Sequence, residues 1–306
     1  IILKCPEETP GSPIGLVRAF HDAGVPAGVI NLVYGVPAEI SEYLIPHPSV
    51  RKISFTGSVP VGKQLASMAG LHMKRATMEL GGHAPVMIFD DVDTDAVASL
   101  TSGLKYRNAG QVCISPTRFF VHEKAYDKFV GKFIDLAKGI KVGDGLEPDS
   151  KMGALANPRR VNAMESIIAD VREKGGKVQA GGNRIGNQGN FFEPTVVTDV
   201  PKNARILSEE PFGPVAVMIR FKDTDEMLKE ANSLPFGLAS YAFTHNAKTA
   251  TKLADNIDAG MITINHQGLA LPEMPFGGVK DSGYGHEGGA EGLQVYMVQK
   301  IVSQLG

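Results

Sequence analysis

Cysteine is scarce in this sequence, because its 306 residues contain only Cys5 and Cys113. Two cysteines exclude the disulfide framework of a small secreted protein and are typical of a reducing compartment, so we expect a cytoplasmic location. Long apolar runs are also absent, since none reaches the roughly 18 residues that a membrane-spanning helix needs. The formal net charge of −2 gives no electrostatic reason to expect nucleic acid or a membrane surface as a partner.

The sequence has no tryptophan, and it does not begin with methionine. Its first residues, Ile1-Ile2-Leu3-Lys4, carry neither the basic segment nor the small-residue cleavage site of a signal peptide. An apolar run that opens at residue 1 is typical of a β-strand cut midway. We therefore expect the chain to be a fragment of a longer protein.

Apolar residues make up 43% of the chain and charged residues 21%, which indicates a globular protein of two domains or one large one. Strand and helix signals alternate along it, and such alternation favours an α/β fold with parallel, doubly wound sheets. The predicted strands are Ile1–Leu3, Val29–Val33, Lys52–Phe55, Ala76–Leu80 and Val86–Phe89, and the predicted helices are Ser12–Ala23, Glu39–Leu44, Val61–Ala69 and Thr94–Tyr106.

The second half continues the same alternation through Phe119–Lys138, Arg160–Lys174 and Val215–Asn232. The glycine-rich stretch Gly175–Gly189 predicts a hairpin or a loop rather than a linker. The tail Val298–Val302 is short and β-branched, which predicts a last strand.

Two glycine-rich segments resemble phosphate-binding loops. Gly283-Tyr-Gly285-His-Glu-Gly288 matches the dinucleotide fingerprint literally, but a turn precedes it instead of a strand, so a structural glycine turn is favoured. Gly57-Ser-Val-Pro-Val-Gly62-Lys63 follows a strand and opens a helix, but Gln64 stands where a P-loop needs Ser or Thr for Mg²⁺. A helix start of this kind still suits a phosphate group, and an ordinary helix cap explains it equally well.

The acidic run Asp90-Asp-Val-Asp93-Thr-Asp95 lacks the glycine and the final acid of an EF-hand. Carboxylates that cap the helix at Thr94 explain it better. The eight histidines show no spacing typical of metal ligands, so no metal site is predicted.

Cys113 and Glu79 are candidates for chemistry, although each has an ordinary structural explanation. A lone cysteine is more often a small buried residue than a nucleophile, and an acid at a strand end before Gly81-Gly82 is more often a surface cap than a general base. Taken singly, neither motif decides the matter.

Five motifs in a fixed order change this balance: Phe55-Thr-Gly-Ser58, Glu79-Leu-Gly-Gly82, Gly110-Gln-Val-Cys113, Glu209-Glu-Pro-Phe-Gly-Pro214 and Pro275-Phe-Gly-Gly278. In this order the sequence resembles the aldehyde dehydrogenase superfamily from Lys4 to the C-terminus. Through Val279-Lys-Asp-Ser-Gly283 it is most similar to the succinate-semialdehyde dehydrogenase-like branch.

The resemblance implies a nicotinamide-dependent oxidation of an aldehyde to a carboxylic acid. It implies that Cys113 is the nucleophile and Glu79 the general base. It also implies that Lys4 and Glu7 hold the adenosine ribose, that Gly57 and Ser58 bind the pyrophosphate, and that Glu210 and Phe212 position the nicotinamide ribose and ring.

The resemblance further implies a cofactor domain formed by residues 1–80 and 266–290, incomplete at its N-terminus, a catalytic domain over 81–265, and an oligomerisation strand within 291–306 that makes a homodimer or homotetramer. Because the carboxylate of Glu7 would repel a 2′-phosphate, NAD is favoured over NADP.

The chain departs from the family pattern where relatives carry a Pro-Trp-Asn motif, whose amide helps to form the oxyanion hole. Since this motif is absent, we expect residues 1–306 alone not to turn over aldehydes. Ser115 stands where some relatives have a second cysteine, so no redox switch is expected.

Arg107 matches an arginine that binds the substrate carboxylate in succinate-semialdehyde dehydrogenases, and a surface ion pair explains it equally well. The segment 266–273 lacks the serine that such relatives supply as a second donor. Two rival functions stay open, a P-loop nucleotide-binding protein, which Gln64 disfavours, and a non-catalytic remnant of the fold.

Overall fold

The computed structural model describes residues 1–306, and the chain divides into two compact units. Unit 1 contains Ile1–Ser54 and Lys63–Ala76, and unit 2 contains Phe55–Gly62 and Thr77–Gly306.

Unit 1 is a small α/β arrangement. Its strands β1 (Ile2–Lys4) and β2 (Asn31–Val33) pair in parallel, and helix α1 (Gly11–Asp22) connects them. Helix α2 (Pro37–Leu44) follows with proline at its start, where the missing backbone N–H costs nothing. Strand β3 (Lys52–Thr56), helix α3 (Val59–Leu71) and strand β4 (Arg75–Glu79) carry the chain across the boundary between the units.

Unit 2 is built on a seven-stranded sheet in the order β12-β11-β5-β6-β9-β8-β7, and every neighbouring pair is parallel except β7–β8. Its strands are β5 (Pro85–Ile88), β6 (Arg118–His122), β7 (Lys177–Ala180), β8 (Thr195–Thr198), β9 (Val215–Phe221), the short β10 (Phe236–Gly237), β11 (Ala239–Phe243), β12 (Met261–Ile264), and the short β13 (Val279–Lys280) and β14 (Gly283–Tyr284). Its helices are α4 (Thr94–Tyr106), α5 (Glu123–Lys138), α6 (Pro158–Glu173), α7 (Thr224–Ala231), α8 (Ala247–Asn256) and α9 (Glu291–Gln294). One-turn 3₁₀ helices cover Arg107–Gly110 and Arg205–Leu207.

Both faces of this sheet are covered. Successive strand residues point to opposite faces, and Phe119 and Val121 of β6 lie in one apolar core while Phe120 lies in another. The first core contains side chains of α4, α5 and α6, and the second contains those of α7 and α8. The predicted α/β fold with doubly wound, mainly parallel sheets is therefore confirmed.

Local predictions are confirmed at two further points. Asp93 caps α4, because its carboxylate accepts hydrogen bonds from the backbone N–H groups of Asp95 at 3.0 Å and Ala96 at 3.3 Å. The glycine-rich stretch Gly175–Gly189 contains β7 and most of the loop that leads to its antiparallel partner β8, as a hairpin or loop requires.

The last strand predicted at Val298–Val302 is not formed within the single chain, where these residues have no regular secondary structure, and its role in oligomerisation stays a prediction. Their apolar side chains are exposed, with Ile301 95% accessible. A strand needs a neighbouring strand for its N–H and C=O groups, and β-branched composition alone does not supply one. No helix of the chain is long and apolar enough to cross a lipid bilayer.

Candidate active site

Glu79 is the last residue of β4, and the backbone around it is held on two sides. Its carbonyl accepts a hydrogen bond from the N–H of Gly57 at 3.1 Å, and Gly283 pairs with it in an antiparallel register. Its side chain is 3% exposed, and neither carboxyl oxygen has a hydrogen-bond partner. Burial, together with the charge of Glu287, raises the pKa of Glu79 to about 8. A buried and unsatisfied carboxyl is costly, so it marks a candidate functional group.

Cys113 lies just beyond a strained turn. Asn108, Ala109 and Gly110 have φ values of 51°, 52° and 70°, a left-handed conformation that non-glycine residues rarely adopt. Burial raises the pKa of the Cys113 thiol, and the negative charges of Glu210 and Glu79 act in the same direction. The backbone N–H groups of Ile114 and Cys113 oppose them by stabilising the thiolate.

The segment after Glu79 passes directly behind the cysteine. A Cβ atom at Gly82 would lie 2.8 Å from the carbonyl oxygen of Cys113, so only glycine fits there. Ser282, which is fully buried, donates a hydrogen bond to the carbonyl of Gly81 at 2.7 Å and fixes this segment from the other side. The structure thus brings together the two residues that the sequence motifs singled out.

Glu210 also reaches this glycine segment. Its Oε1 accepts a hydrogen bond from the N–H of Gly82 at 3.1 Å, and a Cβ atom at Gly81 would lie 2.3 Å from its Oε2. Burial raises the pKa of Glu210 to about 7, although the Gly82 hydrogen bond and the charges of Arg160 and Lys105 hold it down. Phe212, two residues further on, is left-handed with φ 40°.

Gly57 and Ser58 lie between β3 and α3, in the strand-to-helix context that the sequence predicts. Both residues are exposed. A Cβ atom at Gly57 would lie 2.4 Å from the ring of Phe55, so a larger residue here would displace that ring. The N–H of Gly57 is bound to the Glu79 carbonyl, so a phosphate group at this exposed position would meet the backbone N–H groups of the first turn of α3.

Lys4 and Glu7 lie in unit 1, where Lys4 ends β1. Their side chains form an ion pair with an N–O distance of 3.2 Å. A backbone hydrogen bond and the Lys4 ammonium lower the pKa of Glu7, so Glu7 is a carboxylate at neutral pH.

Arg107 ends α4 and is exposed. Burial raises the pKa of the Tyr241 phenol; the charge of Arg107 opposes this shift and Cys113 adds to it, so Tyr241 lies within electrostatic reach of both. The Tyr241 hydroxyl donates a hydrogen bond to the carbonyl of Ile114 at 2.7 Å. Sequence analysis missed Tyr241, because no local motif links a residue of β11 to a turn 127 positions earlier.

Lys105 is a second residue that the sequence did not single out. It is fully buried behind the Cys113 turn, and its ammonium lies 3.3 Å from the hydroxyl of Ser115. Burial lowers the pKa of Lys105 to about 7. The sequence does contain a signal for this residue, because Lys105 lies among apolar residues on one face of the predicted helix, eight positions before Cys113.

The literal dinucleotide fingerprint near the C-terminus is structural, as expected. Gly283 has φ 117°, and a Cβ atom there would lie 1.8 Å from the carbonyl oxygen of Met78. The glycine therefore permits the close approach of β14 to β4.

Comparison with known proteins agrees with the motif order. The sequence model described as "Aldehyde dehydrogenase family" matches residues 1–302. The chain is 44% identical over 302 residues to the putative 4-(hydroxymethyl)benzenesulfonate dehydrogenase TsaD2 of Comamonas testosteroni, and 43% identical over 306 residues to a probable succinate-semialdehyde dehydrogenase [NADP(+)] of Sinorhizobium fredii. Each alignment covers 99% of this chain but only 63% and 62% of these relatives.

Among solved structures, the fold matches that of an NADP-dependent enzyme from E. coli with a TM-score of 0.94 and 39% identity, over 96% of this chain and 61% of that chain. Enzymes of this family use NAD or NADP. The match over almost the whole sequence, in agreement with the motifs and the fold, shows that the chain belongs to the aldehyde dehydrogenase family.

Proposed function

We propose that the protein oxidises an aldehyde to a carboxylic acid, with Cys113 as the nucleophile and Glu79 as the general base. The observation that carries the proposal is the buried carboxyl of Glu79, whose two oxygens have no partner and which lies within electrostatic reach of the Cys113 thiol. A structural carboxylate in this position would be expected to have hydrogen-bond partners.

In the first half-reaction, the thiolate of Cys113 attacks the carbonyl carbon and forms a C–S bond. The negative charge moves to the carbonyl oxygen, and nearby backbone N–H groups favour charge at this place. Because the pKa of the thiol is raised, most of it is protonated at neutral pH. Glu79 accepts this proton in its ionised form, which becomes the main form above about pH 8, and its raised pKa makes that form a stronger base than an ordinary carboxylate.

In the second half-reaction, a water molecule attacks the acyl group that is bound to sulfur. Glu79 takes a proton from this water, the C–S bond breaks, and the carboxylic acid leaves. The proton on Glu79 then passes to the departing thiolate, so that Cys113 regains its thiol and Glu79 its charge. The unpaired carboxyl oxygens are free to bind that water, since no protein group competes for them.

The residues around this pair fit a nicotinamide cofactor, which when bound would accept the hydride that the carbon must lose for the first adduct to become the acyl group on sulfur. Gly57 and Ser58 would bind its pyrophosphate, and Glu210 would accept a hydrogen bond from the ribose next to the ring. Phe212 would contact the ring. The exposed carboxylate of Glu7, with Lys4 beside it, would accept hydrogen bonds from the other ribose, so NAD is the proposed cofactor.

We propose an aldehyde with a terminal anionic group as the substrate, held by the guanidinium of Arg107. Its exposed position at the end of α4, within electrostatic reach of Tyr241 and near Cys113, supports this role. Two similar proteins are named for compounds that carry a sulfonate or a carboxylate, and a guanidinium group binds both anions.

The arrangement as a homodimer or homotetramer, and the division into a cofactor domain (1–80 and 266–290) and a catalytic domain (81–265), stay predictions. Size-exclusion chromatography with light scattering tests the first. Limited proteolysis tests the second, because cleavage should concentrate at the domain boundaries.

The nucleophile and the base are tested with the variants Cys113→Ala and Glu79→Gln in a complete version of the enzyme, since residues 1–306 alone are expected not to turn over aldehydes. We expect Cys113→Ala to lower steady-state turnover by at least about 10³-fold. Glu79→Gln should lower it by about 10²–10⁴-fold and accumulate an acyl-enzyme that intact-mass spectrometry detects. The control Cys5→Ala should keep wild-type activity. Normal turnover by Cys113→Ala would refute the proposal.

The substrate class is tested with succinic semialdehyde and butanal, which have the same carbon skeleton. Arg107→Met should lower kcat/KM for the semialdehyde by about 10–100-fold, because a charge-assisted hydrogen bond is lost. Butanal serves as the control and should be unaffected within about twofold. Equal kcat/KM for both aldehydes in the wild type would contradict an anion-binding role.

A further inference from the structure

Two left-handed turns abut behind the candidate site. One is the Asn108–Gly110 turn before Cys113, and the other is the turn at Phe212 that follows Glu210. A Cβ atom at Gly110 would lie 2.2 Å from the carbonyl oxygen of Gly213, so the two backbones are in direct contact. Any displacement of one turn must therefore be accommodated by the other.

The first turn is tied to the segment that opens α6. Gln111 donates a hydrogen bond from its Nε2 to the carbonyl of Asn108 at 3.1 Å, which closes the left-handed turn. Its Oε1 accepts a hydrogen bond from the N–H of Ala156 at 2.8 Å. Gln111 is buried, so these bonds are shielded from water.

The second turn is tied to the first turn of the same helix. The Nη2 of Arg160 donates hydrogen bonds to the carbonyls of Pro211 and, at 3.1 Å, Phe212, and its guanidinium lies 5.9 Å from the centre of the Phe212 ring. The backbone N–H of Arg160 is itself fixed by Asn157, which caps α6 at 3.2 Å. One helix start thus holds both turns.

We infer that Arg160 is a positioning residue. Together with the Gln111–Ala156 hydrogen bond, it ties both turns to the start of α6, and we call this arrangement the brace. The brace fixes Glu210 and Phe212 relative to Cys113. Arg160 lies outside the motifs that identify the family in this sequence, whereas Gln111 belongs to the motif that contains Cys113. The catalytic consequence of the brace rests on the proposed function, whereas its mechanical consequence does not.

Arg160 has two properties that variants can separate, the geometry of its guanidinium and its positive charge. Arg160 also contributes a positive charge near Glu210. A lysine at this position would keep that charge, but it lacks the planar guanidinium that fixes the direction of the two hydrogen bonds from Nη2 and faces the Phe212 ring. A methionine of similar length would remove both. The comparison of the two variants therefore shows which property matters.

The experiment measures hydrogen–deuterium exchange in the wild type, Arg160→Met and Arg160→Lys, with Arg172→Met as the matched control. Arg172 lies on the same helix and is exposed, and its Nη2 reaches only the carbonyl of Gly182, at 3.5 Å. We expect Arg160→Met to speed exchange by at least about fivefold in peptides that cover 205–215 and in peptides that cover 107–115. Arg160→Lys should show nearly the same increase in exchange rate, and Arg172→Met should exchange like the wild type.

A second readout is the affinity for NADH, which is measured through the fluorescence of NADH itself. The sequence has no tryptophan whose fluorescence would interfere. We expect a Kd at least about fivefold weaker for both Arg160 variants, with the midpoint of thermal unfolding close to that of Arg172→Met. Faster exchange in 205–215 only, or an Arg160→Lys variant that equals the wild type, would overturn the brace. Loss of NADH binding already in the wild type would refute the proposed function instead, while the exchange data still decide the inference.

Discussion

The two units of the chain differ in how much they bury. In unit 1 only Cys5, Ile45 and Ala69 are buried, and neither α1 nor α2 contains a buried residue. In unit 2 two continuous apolar cores cover both faces of a seven-stranded sheet. Residues proposed for the chemistry lie in the well-packed unit, whereas Lys4 and Glu7, proposed for cofactor choice, lie in the poorly packed one.

Within residues 1–306, this difference determines how firmly the two groups of residues are held. A nucleophile and a base must be held within a fraction of an ångström, which needs packed elements around them. An exposed carboxylate that discriminates a ribose from its phosphate tolerates a softer support, because its effect is mainly electrostatic. Changes in unit 2 should therefore have larger effects than comparable changes in unit 1.

The largest effect on stability is expected for Phe133→Ala. Phe133 is fully buried in α5 and packs edge to face on Phe119, with ring centres 5.0 Å apart. The free energy of unfolding should fall by about 3–5 kcal/mol. In unit 1, Leu16 is 56% exposed, so Leu16→Ala should change the free energy of unfolding by about 0.5 kcal/mol or less. Urea unfolding measures both, and equal losses would mean that unit 1 is packed as tightly as unit 2.

An intermediate effect on stability is expected from two buried groups of unit 2, His83 and Glu79. Burial lowers the pKa of His83 and raises the pKa of Glu79. His83 donates from Nε2 to the carbonyl of Ile206 at 2.8 Å and lies 2.7 Å from Thr117 Oγ1, and its burial lowers its pKa from 6.5 to about 3. Between these values the unfolded state binds the proton more tightly, so His83 reduces stability as the pH falls below 6.5. Burial raises the pKa of Glu79 from 4.5 to about 8. Between these two pH values the folded state binds the proton more tightly, so Glu79 reduces stability as the pH rises from 4.5 to about 8.

The variants Glu79→Gln and His83→Gln separate these contributions. Relative to the wild type, Glu79→Gln should become more stable as the pH rises from 5 to about 8, and His83→Gln should become more stable as the pH falls from 7 towards 4. Thermal unfolding across this range measures both trends. A pH-independent difference for Glu79→Gln would show that its carboxyl is not held neutral in the folded protein.

The smallest effect is expected in unit 1. Glu7→Ser should narrow the preference for NAD over NADP by roughly fivefold, since an exposed charge contributes about 1 kcal/mol or less. The ratio of kcat/KM for the two cofactors measures it, with the neighbouring Glu8→Ser as a control. If the wild type already uses both cofactors equally, the repulsion argument from Glu7 is wrong.

The sequence by itself determined the order and type of the main elements. Thr94–Tyr106 was predicted with the bounds that the helix has, and Asp93 was identified as part of its cap, because apolar periodicity and capping are local properties. The motifs also indicated the family and the pair Glu79 and Cys113. The tail at Val298–Val302 shows the limit, since β-branched residues predict a strand but cannot supply its partner.

Only the tertiary structure decided how the candidate residues act on one another. It placed Glu210 on the N–H of Gly82 across 128 positions, and Tyr241 on the carbonyl of Ile114 across 127. It also left the oxygens of Glu79 buried without partners, which raises its pKa. Periodicity reports which face of a helix or strand is covered, but not by what. The pKa of a carboxyl and the strain of a turn depend on the atoms that distant segments bring to them.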